Sequence, residues 1–345
     1  MSASRIGDYF RSAPSKLLQQ WLGRSGTVFL HIRVSDLWDV EKILDQHHKN
    51  IESLTVRRAV AQALLENQSF PILQSPTIYG QGIALRLSSW GAMPALHSLR
   101  LGHLSVDALP SKTFPALRVL ALSTVKGYDY IIQNSYHSLT TLMLDNLHVP
   151  YTSETMEFPS LRFLSILRVK NLKPRMSVSA LTTYHERNMT NNESFSMPLP
   201  LPTEYGTYET NTYPLFNATT LHQCYPNIFL VSIRARAFIV KAFLHSLSGL
   251  PTSLPILRIL VVGVAFGCQD FSKEDEDSMM DDVFVRNTAT SVKMELCFDG
   301  KLRAPLYFAV VRVYIKYGRS KLTSVLRTMK PIEDPSFVLS LWPGC

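Results

Sequence analysis

Between residues 93 and 169 one apolar phrase is written four times in succession. It runs Leu96-x-x-Leu99-x-Leu101-x-x-Leu104, then Leu117-x-x-Leu120-x-Leu122-x-x-Val125, then Leu139-x-x-Leu142-x-Leu144-x-x-Leu147, then Leu161-x-x-Leu164-x-Ile166-x-x-Val169. Successive starts lie 21, 22 and 22 residues apart. Alternation inside each phrase is that of a strand with one face buried. A fixed period of this length means that one supersecondary unit is repeated and stacked, because a single unit of that size cannot bury its own apolar face.

A period just above 20 with L-x-x-L-x-L phrasing marks a leucine-rich repeat, in which each unit lays down one short strand and returns by a helix or loop. The expected fold class is therefore α/β: an irregular leucine-rich-repeat horseshoe, with a parallel sheet on the concave face and helices or loops on the convex one. Stacked repeats share one continuous core, so 345 residues do not require two or three separate domains. Weaker copies extend the series. Ile51-x-x-Leu54-x-Val56 lies two periods upstream of Leu96, with a degenerate copy at Pro71-Ile-Leu73 between them. Leu181-x-x-Tyr184 follows the clear set, and the phrase returns at Pro226-Asn-Ile228-x-x-Val231-x-Ile233 and Pro255-Ile-Leu257-x-x-Leu260-x-Val262. Proline stands two places ahead of the first apolar residue in most copies, as at Pro94, Pro115 and Pro159. Lacking a donor and fixed in φ, it is expected to open each strand.

Four regions are expected: a helical lead-in over 1–27, a first repeat region over 28–186, a low-complexity loop over 187–216, and a second repeat region over 217–345. Residues 14–22 place Leu17, Leu18, Trp21 and Leu22 on one helical face, Val28 to Val34 alternates as a strand, and Leu37 to Asn50 has helical spacing. The 187–216 stretch is dense in Asn, Thr, Pro and Ser and has no period. Residues 269–282, QDFSKEDEDSMMDD, form the strongest charge run and read as a solvated acidic loop, with an acidic docking motif as the alternative. Tyr307 to Tyr317 looks like a strand, and Ser320 to Met329 like a closing helix in a terminal cap.

The formal charge of +8 invites a nucleic-acid reading, a basic scaffold without catalytic activity. Against it, the 35 Lys and Arg are scattered with no run longer than two, whereas phosphate binding needs a concentrated stripe. Cys224, Cys268, Cys297 and Cys345 are far apart with no C-x-x-C pair, which fits reduced thiols in cytoplasm or nucleus and neither a zinc knuckle nor a disulfide framework. No apolar run has the length of a signal peptide or a bilayer span, so neither a secretory route nor a membrane partner is expected.

The turn position three residues after the last strand leucine, often Asn or Cys in such repeats, holds Leu104, Val125, Leu147 and Val169. The turns must therefore satisfy their backbone groups without an asparagine ladder. Alternation sends the leucines inward and the intervening residues to the concave face. The candidate partner-binding residues on that face are Arg100, Val119, Thr141, Met143, Asp145, Phe163, Ser165, Leu167, Ser232, Arg234 and Ile259. The set is mixed and rather apolar, with Arg100, Met143 and Phe163 of the kind that anchor protein interfaces. A protein partner and a monomeric chain are expected. There is no G-x-S-x-G, G-x-x-x-x-G-K-[ST], H-E-x-x-H or G-x-G-x-x-G, so neither enzyme activity nor a cofactor is expected. His47-His48 and His222-x-Cys224 each lack further ligands, and no metal site is assigned to them.

From residue 16 onward, a helix, the phrase Trp21-Leu22-Gly23-Arg24-Ser25-Gly26, an alternating strand over Val28 to Val34, a helix ending in His47-His48 and then the Pro-x-Leu turns follow in order. This order resembles the F-box and leucine-rich-repeat proteins abundant in mushroom-forming fungi. What the resemblance implies is a substrate receptor of an SCF-type ubiquitin ligase, in which the F-box holds the ligase's linker subunit and the repeats hold the target. An F-box is longer than the 20 residues that precede Trp21, and none of these shows its Leu-Pro opening. No F-box contact is carried to any residue here, and the linker subunit is expected as a partner only with an F-box upstream.

Overall fold

The computed structural model describes residues 30–34, 48–57, 65, 69–87, 90, 92–107, 114–147, 156–167, 169, 176–187, 202–208, 217–250, 252–264, 270–299 and 311–313. The expected helices over 14–22 and 320–329 lie outside these, as do residues 37–47 of the one expected over 37–50, whose last three residues, His48–Asn50, form a 3-10 turn. The strands are β1 Leu30–Val34, β2 Ile51–Arg57, β3 Ser75–Arg86, β4 Ser98–Asp107, β5 Val119–Ser123, β6 Thr141–Asp145, β7 Met156–Glu157, β8 Phe163–Leu167, β9 Met176–Ser177, β10 Thr183–Arg187, β11 Glu204–Tyr208, β12 Leu230–Ala235, β13 Ile259–Val264, β14 Glu295–Asp299 and β15 Val311–Val313. The α-helices are α1 Asp129–Gln133, α2 Ala218–Cys224, α3 Ala237–Gly249 and α4 Lys273–Ala289. The chain divides into two compact units, Met1–Arg162 with Val169–Ser179, and Phe163–Arg168 with Ala180–Cys345.

In the first unit β1 to β6 pair in sequence order, every pair parallel. Leu99 stands beside Leu120 and Leu120 beside Leu142, while Leu101, Leu122 and Leu144 form a second row. All six are buried. Each buried leucine contributes roughly 1.5–3 kcal/mol. In the second unit β8, β10, β11, β12, β13 and β14 also pair in parallel, and β15 closes the edge antiparallel to β14. Its two interior rows are Leu164, Tyr184, Tyr205, Val231, Leu260, Leu296 and Ile166, Glu186, Thr207, Ile233, Val262, Phe298. Strands stacked in parallel, one per sequence repeat, are a leucine-rich-repeat solenoid.

The prolines do not open the strands. Each occupies the second place of a tight turn that the following apolar residue closes, its N–H donating to the carbonyl three residues back: Leu73 to Phe70, Leu96 to Met93, Leu117 to Phe114, Leu161 to Phe158, Ile228 to Tyr225 and Leu257 to Leu254, at 3.0–3.4 Å. Proline's fixed φ suits that place in a turn. Midway along β4 and immediately after β5 and β6 the chain bends through a left-handed residue, His103, Thr124 and Asn146, with φ of 55°, 52° and 48°. Leu104, Val125 and Leu147, which follow the bends, are buried, and backbone bonds between neighbouring coils, Thr124 N–H to the Asp145 carbonyl at 2.9 Å and Lys126 N–H to that of Leu104 at 3.0 Å, do work that an asparagine ladder would do. Asn146 Nδ2 links two successive bends by donating to Thr124 Oγ1 at 3.1 Å.

Two expectations are corrected. Residues 204–208 inside the expected 187–216 loop are the strand β11, held between β10 and β12. The expected acidic loop over 269–282 contains most of α4 instead. Ser272 caps it, with a reciprocal bond to Asp275. Glu274, Asp275 and Glu276 sit in its first turn, where the helix dipole favours them. Met279, Val283 and Arg286, at helical spacing, form its buried stripe.

A candidate partner-binding face

In the first unit the face opposite the leucines carries three rows: Ser98, Val119, Thr141; Arg100, Ala121, Met143; and Gly102, Ser123, Asp145. Val119 and Met143 are half-buried, whereas Arg100, Thr141 and Asp145 are buried. Arg100 Nε donates to Ser98 Oγ at 3.2 Å, and Ser123 Oγ donates to Asp145 Oδ2 at 2.9 Å. Of the candidates on this unit, then, Arg100, Thr141 and Asp145 are not on an open surface. Hydrogen bonding within and between strands absorbs part of their polarity.

The second unit brings more of the candidates together. Its rows on the same face are Phe163, Thr183, Glu204, Leu230, Ile259, Glu295; Ser165, His185, Gly206, Ser232, Val261, Cys297; and Leu167, Arg187, Tyr208, Arg234, Gly263. Phe163, Ser165 and Leu167 are buried, which corrects their expected exposure, whereas Ser232, Arg234 and Ile259 are half-buried. Phe163 owes its burial in part to His185, whose ring centroid lies 5.0 Å from its own. The His185 ring also leans over Gly206, where an added Cβ would meet His185 Cδ2 at 2.8 Å and Nε2 at 2.9 Å. Glycine at 206 is thus a matter of space for the imidazole. Burial, and after it the Arg234 guanidinium, push the His185 imidazole down from 6.5 to about 4. Thr183 Oγ1 donates to Glu204 Oε2 at 3.0 Å; burial raises the Glu204 carboxyl, with the Thr183 bond acting the other way.

The interior face of the same strands is polar where leucine is the rule. Tyr184 Oη donates to Glu186 Oε2 and Tyr205 Oη to Glu186 Oε1, both at 2.8 Å. Tyr225 stacks on Tyr205 with centroids 5.3 Å apart. Burial, followed by the Glu186 charge, drives all three phenols well above their ordinary range. Buried and hydrogen-bonded at both oxygens, Glu186 is a satisfied interior carboxyl.

Thr183, His185, Glu204 and Gly206 escaped the reading of the sequence because their coils have Tyr, Glu and Thr at the interior places. The signal that marks them is the 21-residue step from Tyr184 to Tyr205. Of the weak metal pairs, His47 lies outside the described residues, Cys224 is buried, and no group of three His, Cys, Asp or Glu among the described residues could hold a metal ion. No described helix is long and apolar enough to cross a membrane.

The class that these coils define is the leucine-rich-repeat solenoid, a repeat scaffold. Among solved structures the chain is similar to TLR13 in its complex with ssRNA13, at a TM-score of 0.44 and 16% identity over 77% of this chain and 37% of that one. It thus spans little more than a third of that protein's length. No family model and no curated protein matches the sequence.

Proposed function

We propose that this chain is a non-catalytic recognition module that takes a protein partner on the face opposite its leucine rows. The observation that carries the reading is the half-buried group Ser232, Arg234 and Ile259 on adjacent strands of the second unit, with Ser232 in the same cross-strand row as His185 and Gly206. A guanidinium next to aliphatic and hydroxyl groups on a rigid sheet is the mixture that protein interfaces favour at their anchors. Such residues, held by the ladder and not by loops, present a preformed surface and lose little entropy on binding. The resemblance of the Trp21 to Gly26 phrase and the Pro-x-Leu turns to fungal F-box proteins supports the narrower reading, target recognition for an SCF-type ubiquitin ligase in cytoplasm or nucleus.

Affinity capture with the full chain tests the general reading. Partners retained by the wild type and by Lys273→Glu, a change on the helical side, are expected to be lost from the double variant Arg234→Glu/Ile259→Glu. Identical capture by all three refutes it. The ligase reading is tested separately by direct binding of the linker subunit to a chain carrying its native upstream sequence, and absence of binding there refutes that part alone.

A further inference from the structure

One flank of α4 is built to be covered. Met279, Val283 and Arg286 face the interior, and Arg286 is wholly buried. Asp275 and Asp282 face α3: Lys241 Nζ lies 2.5 Å from Asp275 Oδ1, and Ser248 Oγ donates to Asp282 Oδ1 at 3.1 Å. At about 100° per residue, Phe284 points some 160° away from that α3-facing edge. It is 62% exposed, and Met280, one turn before it, is half-buried beside it. Val285, 50% exposed, stands on the outward arc with Glu274, Asp277 and Asp281, all of them exposed. The flank is therefore an apolar strip bordered by carboxylates. Two basic residues (Lys273, Arg286) against six acidic ones (Glu274, Asp275, Glu276, Asp277, Asp281, Asp282) give the helix a net charge of −4 in a chain of net +8.

The complement of this strip is written further along the same chain. Over Arg319 to Lys330 the apolar residues are Leu322, Val325, Leu326 and Met329, spaced i, i+3, i+4, i+7 as on one helical face. The charged residues are Arg319, Lys321, Arg327 and Lys330, four basic and none acidic, for +4 against −4. The tether suffices, since β15 returns the backbone along β14, the strand that follows α4. Six residues separate Val313 from Ser320 and can span roughly 20 Å, twice the depth of a helix layer on a sheet.

We propose that the Met280–Phe284 flank of α4 is an intramolecular dock for the amphipathic basic segment Ser320 to Met329, which seals the helical side of the last coil. The rivals are a second copy of the chain and a basic segment of another protein.

Hydrogen exchange of the full-length chain, read on fragments covering 319–330, tests it. The expected result is protection there in the wild type. Phe284→Asp, and separately Asp277→Lys/Asp281→Lys, should speed exchange in those fragments on the order of tenfold or more while α3 keeps its protection. Adding Lys321→Glu/Arg327→Glu to the Asp277→Lys/Asp281→Lys variant should restore protection, which a mere loss of folding would not allow. Exchange in 319–330 that is unprotected in the wild type, or indifferent to both α4 variants, overturns the proposal. So does a charge swap that fails to restore protection. Protection that depends on protein concentration, with a Phe284-dependent dimer in sedimentation, overturns it in favour of a second copy.

Discussion

Removing the Tyr205 hydroxyl, by Tyr205→Phe, strikes the one interior place where the second unit departs most from a leucine core. Glu186 is 4% exposed, and its two carboxyl oxygens each accept a phenolic hydrogen, from Tyr184 and Tyr205, at 2.8 Å. The substitution keeps the ring, its stacking on Tyr225 and its volume, so no cavity forms. What is lost is one hydrogen bond to a buried carboxyl, worth about 1.5–3 kcal/mol once the stranded desolvation is included. In a solenoid the loss is felt first by the coils that touch it. Native-state hydrogen exchange should accordingly show amides of β10, β11 and β12 opening roughly tenfold to a hundredfold more often, with the β4 to β6 amides unchanged. Tyr184→Phe should behave alike. The triple variant Tyr184→Phe/Glu186→Leu/Tyr205→Phe removes donors and acceptor together and restores leucine to the phrase; it should be no less stable than the wild type and up to about 4 kcal/mol more so. A single Tyr205→Phe within about 0.5 kcal/mol of wild type in β10 to β12 would refute this account of the cluster.

Two further outcomes follow from particular side chains. The His185 imidazole titrates near 4 in the folded chain and near 6.5 once unfolded, so between those values the unfolded chain binds more protons. Stability contributed by His185 is complete above about pH 6.5 and falls as the pH drops toward 4, by at most roughly 3 kcal/mol and less to the extent that solvent reaches this half-buried residue. Urea titrations at pH 7.5 and 4.5, with His185→Phe losing the acidic dependence, check the direction; a wild type and variant with the same acid response would exclude His185 as its source. Arg286 donates from Nη2 to the carbonyls of Leu254 and Leu257 at 3.1 and 3.2 Å, and from Nη1 to that of Val292 at 3.3 Å. It pins α4 to the turn ahead of β13 and to the chain ahead of β14. Arg286→Met fills the volume but removes three charge-assisted bonds; the Leu254 carbonyl keeps the Leu257 N–H and that of Val292 keeps the Thr290 hydroxyl, so the Leu257 carbonyl is the one stranded. The change should cost about 3 kcal/mol, read as faster exchange through α4 and β14; no change would mean that the guanidinium is dispensable there.

The parts of this fold visible in the sequence are those where apolar spacing does the folding. Leu99, Leu120 and Leu142 stand side by side because each phrase buries the same two places on its strand, and a fixed step places those strands in register. The strand at 204–208 was hidden for the converse reason. Its phrase, Pro202-x-x-Tyr205-x-Thr207, carries no aliphatic residue, and its neighbour puts Glu186 where leucine belongs. Helix α4 was masked by its own charge run, since six carboxylates outweigh the Met279, Val283, Arg286 spacing unless the Ser272–Asp275 capping box is read first. The candidate face was legible in its register but not in its depth. Alternation says which way Arg100, Asp145 and Phe163 point; it does not reveal the Ser98 and Ser123 hydroxyls or the His185 ring against which they lie.

The polar residues of β10 and β11 are best understood as a set, since none of them is tolerable alone. A carboxyl at 186 without two phenols beside it would be a buried group short of donors, and phenols at 184 and 205 opposite leucine would be short of an acceptor. Because neighbouring coils are joined by parallel pairing, slipping β11 by one residue against β10 would turn Tyr205 to the opposite face and take its hydroxyl from Glu186. It would also move Gly206 from beneath the His185 ring, where a Cβ has no room. Both faces of β11 therefore vote for one register, the interior through a hydrogen bond and the exterior through a steric gap. Where an all-leucine coil would be indifferent to which leucine it meets, this coil is not. The registered strand is also what sets Ser232 beside Gly206 and Arg234 beside Tyr208 on the proposed recognition face, so the buried carboxyl and the binding surface share a cause.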